Sequence, residues 1–345
     1  MFDRLTSRLI ATIQDDPSKA SSAVTERGTD QDWALAALNS PAGHIAGAVF
    51  NILWKSLNSE PRPPATWLTH AENLLQLRGD PHRHAVTIFS RHLDWFYRTV
   101  PEWTANHLLS RLEGGNKRDQ AAIWAGVFWH PIVTSPELYL RLEPPLLALA
   151  KQKDLIREGN IQSLASLVLR GWRWKHPNRL VSNNEMNDVL LSGGDDVRSH
   201  IVWHFQRAFH ENVEGEIDDW ISDAIELFDR AWPRQRSVKN QRMAFRLVEL
   251  VTENARAFAS LAEVILPLLT KISAPHGLYF QDEAADEIIK KHPRLLLKIL
   301  VAILADDVSK WPYGVGEVLE RMATSDDNLS SDPHFRELKL KWDSR

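Results

Sequence analysis

Apolar residues recur every three or four positions along most of the chain. Three sets show the spacing clearly: Phe2, Leu5, Leu9 and Ile13; Val86, Phe89, Leu93 and Phe96; and Val202, Phe205 and Phe209. This spacing places the apolar side chains on one face of an α-helix. The strict alternation that is typical of a half-buried strand is not sustained anywhere. The pattern therefore predicts an all-α fold.

Four short motifs indicate where helices begin. Each has a capping side chain followed by a proline; the motifs are Ser40-Pro41, Asp80-Pro81, Ser135-Pro136 and Asp332-Pro333. A serine or aspartate at the cap accepts a hydrogen bond from a free backbone N–H group, and proline is suited to the first helical position. We expect a helix to start at each motif.

A tryptophan shortly precedes a proline at four places along the chain. The pairs are Trp129 and Pro131, Trp174 and Pro177, Trp232 and Pro233, and Trp311 and Pro312. Proline ends a helix, and a large side chain at the corner can cover the junction between one helical hairpin and the next. The first two corners are separated by about the length of a HEAT or armadillo repeat.

The corners predict a HEAT/armadillo-like α-solenoid of degenerate helical hairpins. We expect one elongated repeat domain over residues 1–345, with a possible soft division near residues 175–195. Trp129, Trp232 and Trp311 are expected to be buried at the junctions between hairpins.

Composition excludes several classes of site. The 345 residues carry a formal net charge of −4, so no overall positive field attracts the chain to nucleic acid or to an anionic membrane. The absence of cysteine excludes disulfides, thiolate zinc sites and cysteine nucleophiles.

The most apolar run, LLLKILVAILA, is about half the length that crosses a bilayer. We expect a cytoplasmic protein that does not contact the membrane.

Histidines supply the candidates for metal or catalytic chemistry. His200 and His204 are one helical turn apart, but Ile201 replaces the glutamate that a zinc protease of this pattern requires. His82, His84 and His92 follow a helix start. We predict no catalytic, cofactor-binding or metal-binding residue and no cofactor. A hydrolase that uses the region of His200 and His204 remains a less favoured alternative.

Cations and tryptophans alternate in the stretch LRGWRWKHPNR, which gives the candidate interaction patch. The residues are Arg170, Trp172, Arg173, Trp174, Lys175 and Arg179. Such a pattern could stack bases and bind phosphates. Tryptophan and arginine are also the usual anchors of protein interfaces, and the chain is acidic overall. We therefore favour a protein contact and keep a nucleic-acid-binding helical repeat as the alternative.

Four segments together resemble a known helical region. They are NSPAGHIAGAVFNIL, HAVTIFSRHLDWFYRTVPEWTANHLL, AAIWAGVFWHPIVTSPELYLRLEPPLLALAK and KWPYGVGEVLERMATSDDNLSSDPHFREL. They are similar to the helical C-terminal domain of unknown function that follows the NAD-binding domain of bacterial sirtuin-like proteins. Many members of that family are implicated in antiphage defence. The resemblance covers most of the chain from Asn39 onward.

The resemblance implies a scaffold or sensor rather than an enzyme. The glycine-rich NAD loop of the sirtuin-like half has no counterpart here, so none of that family's catalytic residues can be carried over. The implied partner is a sirtuin-like effector, a phage protein or a second copy of the chain. The implied function is a non-enzymatic scaffold that mediates protein contacts in a defence system, either free-standing or as part of a longer protein.

Overall fold

The structure is a computed structural model. It describes residues 2–20, 22, 31–57, 65–114, 116–152, 157–175, 177, 179–211, 216–273 and 283–345. Helices dominate these ranges, and the β-type pairing within them is an isolated parallel bridge between Ile272 and Leu304. The prediction of an all-α fold is confirmed.

Within the residues that the structure describes, eleven α-helices precede residue 174. They are α1 (Phe2–Asp15), α2 (Trp33–Leu38), α3 (Pro41–Leu57), α4 (Ala65–Leu75), α5 (Asp80–Ser90), α6 (Leu93–Thr99), α7 (Pro101–Thr104), α8 (Ser110–Gly114), α9 (Lys117–Trp129), α10 (Pro136–Ala150) and α11 (Glu158–Arg173). A π-helical turn, Ala105–Leu109, joins α7 to α8.

The remaining helices follow in the second half of the chain. They are α12 (Asn183–Ser192), α13 (Gly194–Glu211), α14 (Ile217–Glu226), α15 (Gln241–Thr252), α16 (Ala255–Ile265), α17 (Glu283–Lys291), α18 (Pro293–Ile303), α19 (Val315–Ser325) and α20 (Pro333–Asp343). A π-helical turn, Leu227–Ala231, extends α14.

Three of the predicted helix starts have the expected cap. The Ser40 and Ser135 hydroxyl oxygens accept hydrogen bonds from the backbone N–H groups of Gly43 and Leu138. The Asp332 carboxylate caps α20 in the same way. At the fourth motif, Asp80 lies inside α5 and its carboxylate accepts a hydrogen bond from Arg83. Gly79 takes the cap position there, with a φ of 71°.

The contacts divide the chain into two compact units. The first comprises residues 1–150 and 154–171, and the second comprises residues 151–153 and 172–345. The boundary falls within α11, after Gly171. Each unit is described separately below.

Helix α5 is the central element of the first unit. It packs against α2, α3, α4 and α9, and almost all of its side chains are buried. Its contact with α9 is unusually close because Gly126 faces the Thr87 carbonyl and Ser90. A β-carbon at Gly126 would lie 2.3 Å from the Thr87 oxygen, so a larger residue would push the two helices apart.

The helices of the second unit pack in two rows. One row contains α13, α15, α17 and α19, and the other contains α14, α16, α18 and α20. Within a row, each helix contacts the next. Across the rows, consecutive helices pair as α13 with α14, α15 with α16, α17 with α18 and α19 with α20. The second unit is therefore a series of adjacent helical hairpins.

Two of the three corner tryptophans are buried as predicted. Trp311 is 1% exposed, and its indole N–H donates to the Ala305 carbonyl at 2.6 Å. Trp232 is also buried and contacts the ring of Phe228. Trp129 differs because it is only half-buried. The guanidinium of Arg91 covers its ring at 4.1 Å.

None of the helices described combines the length and the apolar character needed to cross a membrane.

Candidate functional site

A cleft of about 350 Å³ opens in the first unit. Its walls come from the second half of α3, from α6 with the turn before it, and from the segment after α9. The lining residues are Phe50, Asn51, Trp54, Arg91, His92, Asp94, Trp95, Arg98, His130 and Ile132. We call this site the aromatic cleft.

Stacked rings form one wall of the aromatic cleft. Phe50 of α3 is buried. The imidazole of His92 stacks on it, with a centroid distance of 3.6 Å and an angle of 9° between the rings. Trp95 meets Phe50 edge-on at 5.3 Å. The wall is therefore fixed by the helix packing.

Trp54 extends this wall toward solvent. It lies one helical turn after Phe50 and contacts the Trp95 ring at 5.9 Å, yet it remains 51% exposed. Ile132, in the segment after α9, is 40% exposed. Both side chains line the cleft, so they give it exposed apolar surface that a ligand could cover.

His92 contributes a neutral ring to the cleft. Burial is the main cause that lowers its pKa to about 4, with smaller contributions from the neighbouring Arg91 and His130. At neutral pH its imidazole therefore offers one donor and one acceptor and carries no charge.

Arginines supply the positive charge of the cleft. Within the described part of the chain, Arg91 has no ion-pair partner; its guanidinium stacks on Trp129. Arg98 donates to the buried carboxylate of Asp94 at 3.1 Å. That carboxylate also accepts hydrogen bonds from the backbone N–H and the hydroxyl of Thr134. The Asp94 carboxylate is thus already bonded to Arg98 and to Thr134 in the segment after α9. Arg91 is the cation that can bind a ligand.

The predicted patch of residues 170–179 is divided between the two units. Arg170 belongs to the first unit and donates to the Val133 carbonyl at 3.1 Å. Trp172, Arg173, Lys175 and Arg179 come together in the second unit. Trp174 is half-buried. Trp172 is 0% exposed, so it cannot touch a partner directly and belongs to the core instead.

The remaining cations of the patch face acidic side chains of α14. Arg173 donates to the Asp223 carboxylate at 2.7 Å and stacks on Trp220, and Lys175 pairs with the same carboxylate. Asp223 is buried. These contacts account for both cations as counter-charges of a buried acid, which is a structural role. Their role in binding a partner stays a prediction.

Arg179 has a similar internal role. It donates to Glu226 at 2.8 Å and to Asn183 at 3.2 Å, and its guanidinium stacks on the ring of Trp172. A phosphate at this patch would have to compete with these carboxylates, so the nucleic-acid alternative gains no support here.

None of the other candidate histidines, His82, His84, His200 and His204, lines the aromatic cleft. Nδ1 of His82 donates to the Leu75 carbonyl, and Arg111 donates to its Nε2. His84 is fully buried beside Trp33. His200 is half-buried on α13, and burial lowers its pKa. Across the described ranges, no three His, Cys, Asp or Glu side chains are grouped to hold a metal ion.

Sequence reasoning did not identify the aromatic cleft. The signal was present, because SRHLDWFYR interleaves arginines with aromatic residues as the 170–179 stretch does. The contribution of α3 could not be predicted, since Trp54 lies more than 30 residues before this stretch. Periodicity places Trp54 on a helix but does not show that it remains open to solvent.

Comparison of the chain with protein families, curated proteins and solved structures finds no match. These comparisons give no support to the resemblance to sirtuin-associated proteins.

Proposed function

We propose that this chain is a non-enzymatic helical protein that recognises a partner protein through the aromatic cleft. The observation that carries the proposal is that the half-exposed Trp54 lines the same cleft as Arg91, whose guanidinium has no ion-pair partner among the described residues. Tryptophan and arginine dominate the binding energy of protein interfaces, above all where a pocket surrounds them. Here both lie at a preformed cleft.

The open geometry favours a protein over an enclosed small ligand. Sites for small molecules bury most of the ligand surface. The aromatic cleft instead leaves Trp54 and Ile132 about half-exposed, as in an interface that a partner completes. The fixed Phe50–His92 stack supports the exposed rim, so little ordering is needed when a partner binds.

The wider architecture fits a scaffold. The hairpin series of the second unit has the neighbour pattern expected of an α-solenoid, in which each repeat contacts the next. We propose a HEAT-like arrangement for that unit on this ground. As the resemblance implies, we place a sirtuin-like antiphage effector first among the candidate partners.

The experiment is quantitative co-purification with cleft variants. The tagged full chain and its Trp54→Ala and Tyr313→Ala variants are isolated from cells that naturally contain the chain, and the retained proteins are quantified. Tyr313 is a matched control, because it is an exposed aromatic residue of the second unit. We expect Trp54→Ala to lose specific partners that Tyr313→Ala retains. Identical retained sets would overturn the proposed function.

A further inference from the structure

We propose that the aromatic cleft receives an extended, proline-containing segment that carries acidic side chains. This inference rests on the proposed function, since it names the kind of protein segment that the same cleft would bind. Three features of the site support it: the backbone that surrounds the cleft, the shape of its wall, and its charge.

The surrounding backbone excludes one common mode of peptide binding. A peptide that adds a strand needs an exposed sheet edge. The elements around the cleft, α3, α6 and α9, are all helices and have no such edge. Affinity must therefore come from side-chain contacts rather than from a backbone ladder.

The shape of the wall favours an extended chain over a helix. A helical ligand needs a groove for anchors at positions i, i+4 and i+7, which extend over about 10 Å along its axis. The cleft instead presents a cluster of rings, with the centroids of Phe50, Trp54 and Trp95 separated by 5.3 Å to 6.1 Å. Proline-rich segments bind to aromatic surfaces of this kind, because their rings stack flat and their backbone is already extended.

The charge of the cleft favours acidic flanking residues. Arg91 has no carboxylate partner in the described part of the chain, and the exposed Arg98 shares the buried carboxylate of Asp94. Asp94 is the one acidic residue among the lining side chains, and Thr134 and Arg98 already satisfy it. An acidic ligand thus meets cations and no free acid.

Three labelled peptides test the inference by fluorescence anisotropy with the full chain. The first is Gly-Pro-Pro-Asp-Pro-Pro-Asp-Pro-Pro-Gly. The second replaces each aspartate with lysine, and the third replaces each proline with alanine. We expect the first peptide to bind at least about tenfold more tightly than the other two, because each of them loses one class of contact.

Chain variants localise the binding. Trp54→Ala should weaken binding of the acidic proline peptide about tenfold, and Tyr313→Ala should leave it unchanged. Arg91→Glu should reverse the preference, so that the lysine peptide binds better than the aspartate peptide. Thermal melts of each variant confirm that the fold persists.

Several results would overturn the inference. One is equal affinity for the three peptides, and another is binding that is insensitive to Trp54→Ala. A third is tighter binding of adenosine monophosphate than of the acidic proline peptide, since the cleft would then prefer a small phosphate-bearing ligand to a protein segment. If none of the peptides binds while Trp54→Ala still loses proteins in co-purification, the proposed function stands and this inference fails. If both experiments are negative, both fail.

Discussion

At the scale of single residues, the cationic side chains occur in two settings, paired with a buried acid or without an acidic partner among the described residues. Arg173 and Lys175 neutralise the buried Asp223, whereas Arg91 at the aromatic cleft has no acidic partner in the described residues. Both regions of the sequence contain arginines near tryptophans, and the sequence alone does not show which arginines have an acidic partner. The difference depends on Asp223, which lies about 50 residues away from the patch it neutralises.

Charge reversal at Arg173 tests the structural role of the patch. Arg173→Glu places a carboxylate against Asp223, whose side chain is 3% exposed, so we expect a loss of about 3–5 kcal/mol in the free energy of unfolding. Arg256→Glu is the control. Its partner Asp218 is exposed, so the loss should be within about 1 kcal/mol. Denaturant unfolding measures both, and equal losses would show that Asp223 does not need its counter-charge.

His84 tests the dependence of stability on pH. It is fully buried, neither ring nitrogen has a hydrogen-bond partner among the described residues, and burial lowers its pKa from 6.5 to about 4. The unfolded chain therefore binds a proton more readily than the folded chain between those values. As pH falls from 6.5 toward 4, this histidine destabilises the fold.

The expected result is that the free energy of unfolding falls with decreasing pH more steeply in the parent chain than in the His84→Leu variant. Between about pH 7.5 and about pH 4.5, the parent should lose roughly 2–3 kcal/mol more stability than the variant. Glu249, whose pKa burial raises, acts in the opposite direction but is common to both proteins. Denaturant titrations across this range measure the difference, and parallel curves would contradict the buried neutral state of His84.

At the scale of the secondary-structure elements, the packing of the helices determines where the cleft lies. Apolar periodicity and capping motifs predicted the helices, and the Trp-Pro corners predicted the burial of Trp232 and Trp311. The cleft was not predictable in this way, because α3, α6 and the segment after α9 are joined by contacts between residues far apart in the sequence, such as Phe50 with Trp95 and Asp94 with Thr134. The packing of α9 against α5 depends in addition on Gly126, which lets the two helices approach closely.

Gly126→Ala tests this helix contact. The new methyl group would meet the Thr87 carbonyl and the Arg91 backbone, so we expect a loss of about 1–3 kcal/mol and a lower melting temperature. Gly47→Ala on α3 is the matched control, because no atom lies within 4 Å of its β-carbon position. It should be neutral or stabilise by up to about 1 kcal/mol. If both variants melt alike, the close approach of α9 to α5 does not matter for stability.

At the scale of the whole molecule, the two units contain different features. The first unit contains the aromatic cleft, and the second contains the hairpin series together with the paired cations of the 170–179 stretch. The net charge of −4 gave no reason to expect a cationic site. A local excess of arginine can exist on an acidic chain, because neighbouring acids such as Asp94 are already occupied.

Co-purification with the cleft variant tests the central claim most directly. The quantity to measure is the amount of each retained protein for Trp54→Ala relative to the parent chain and to Tyr313→Ala, all compared at equal folded fraction by thermal melting. The account predicts that a defined set of proteins falls at least about tenfold with Trp54→Ala and is unchanged with Tyr313→Ala. Retention of every partner by a folded Trp54→Ala chain would contradict it.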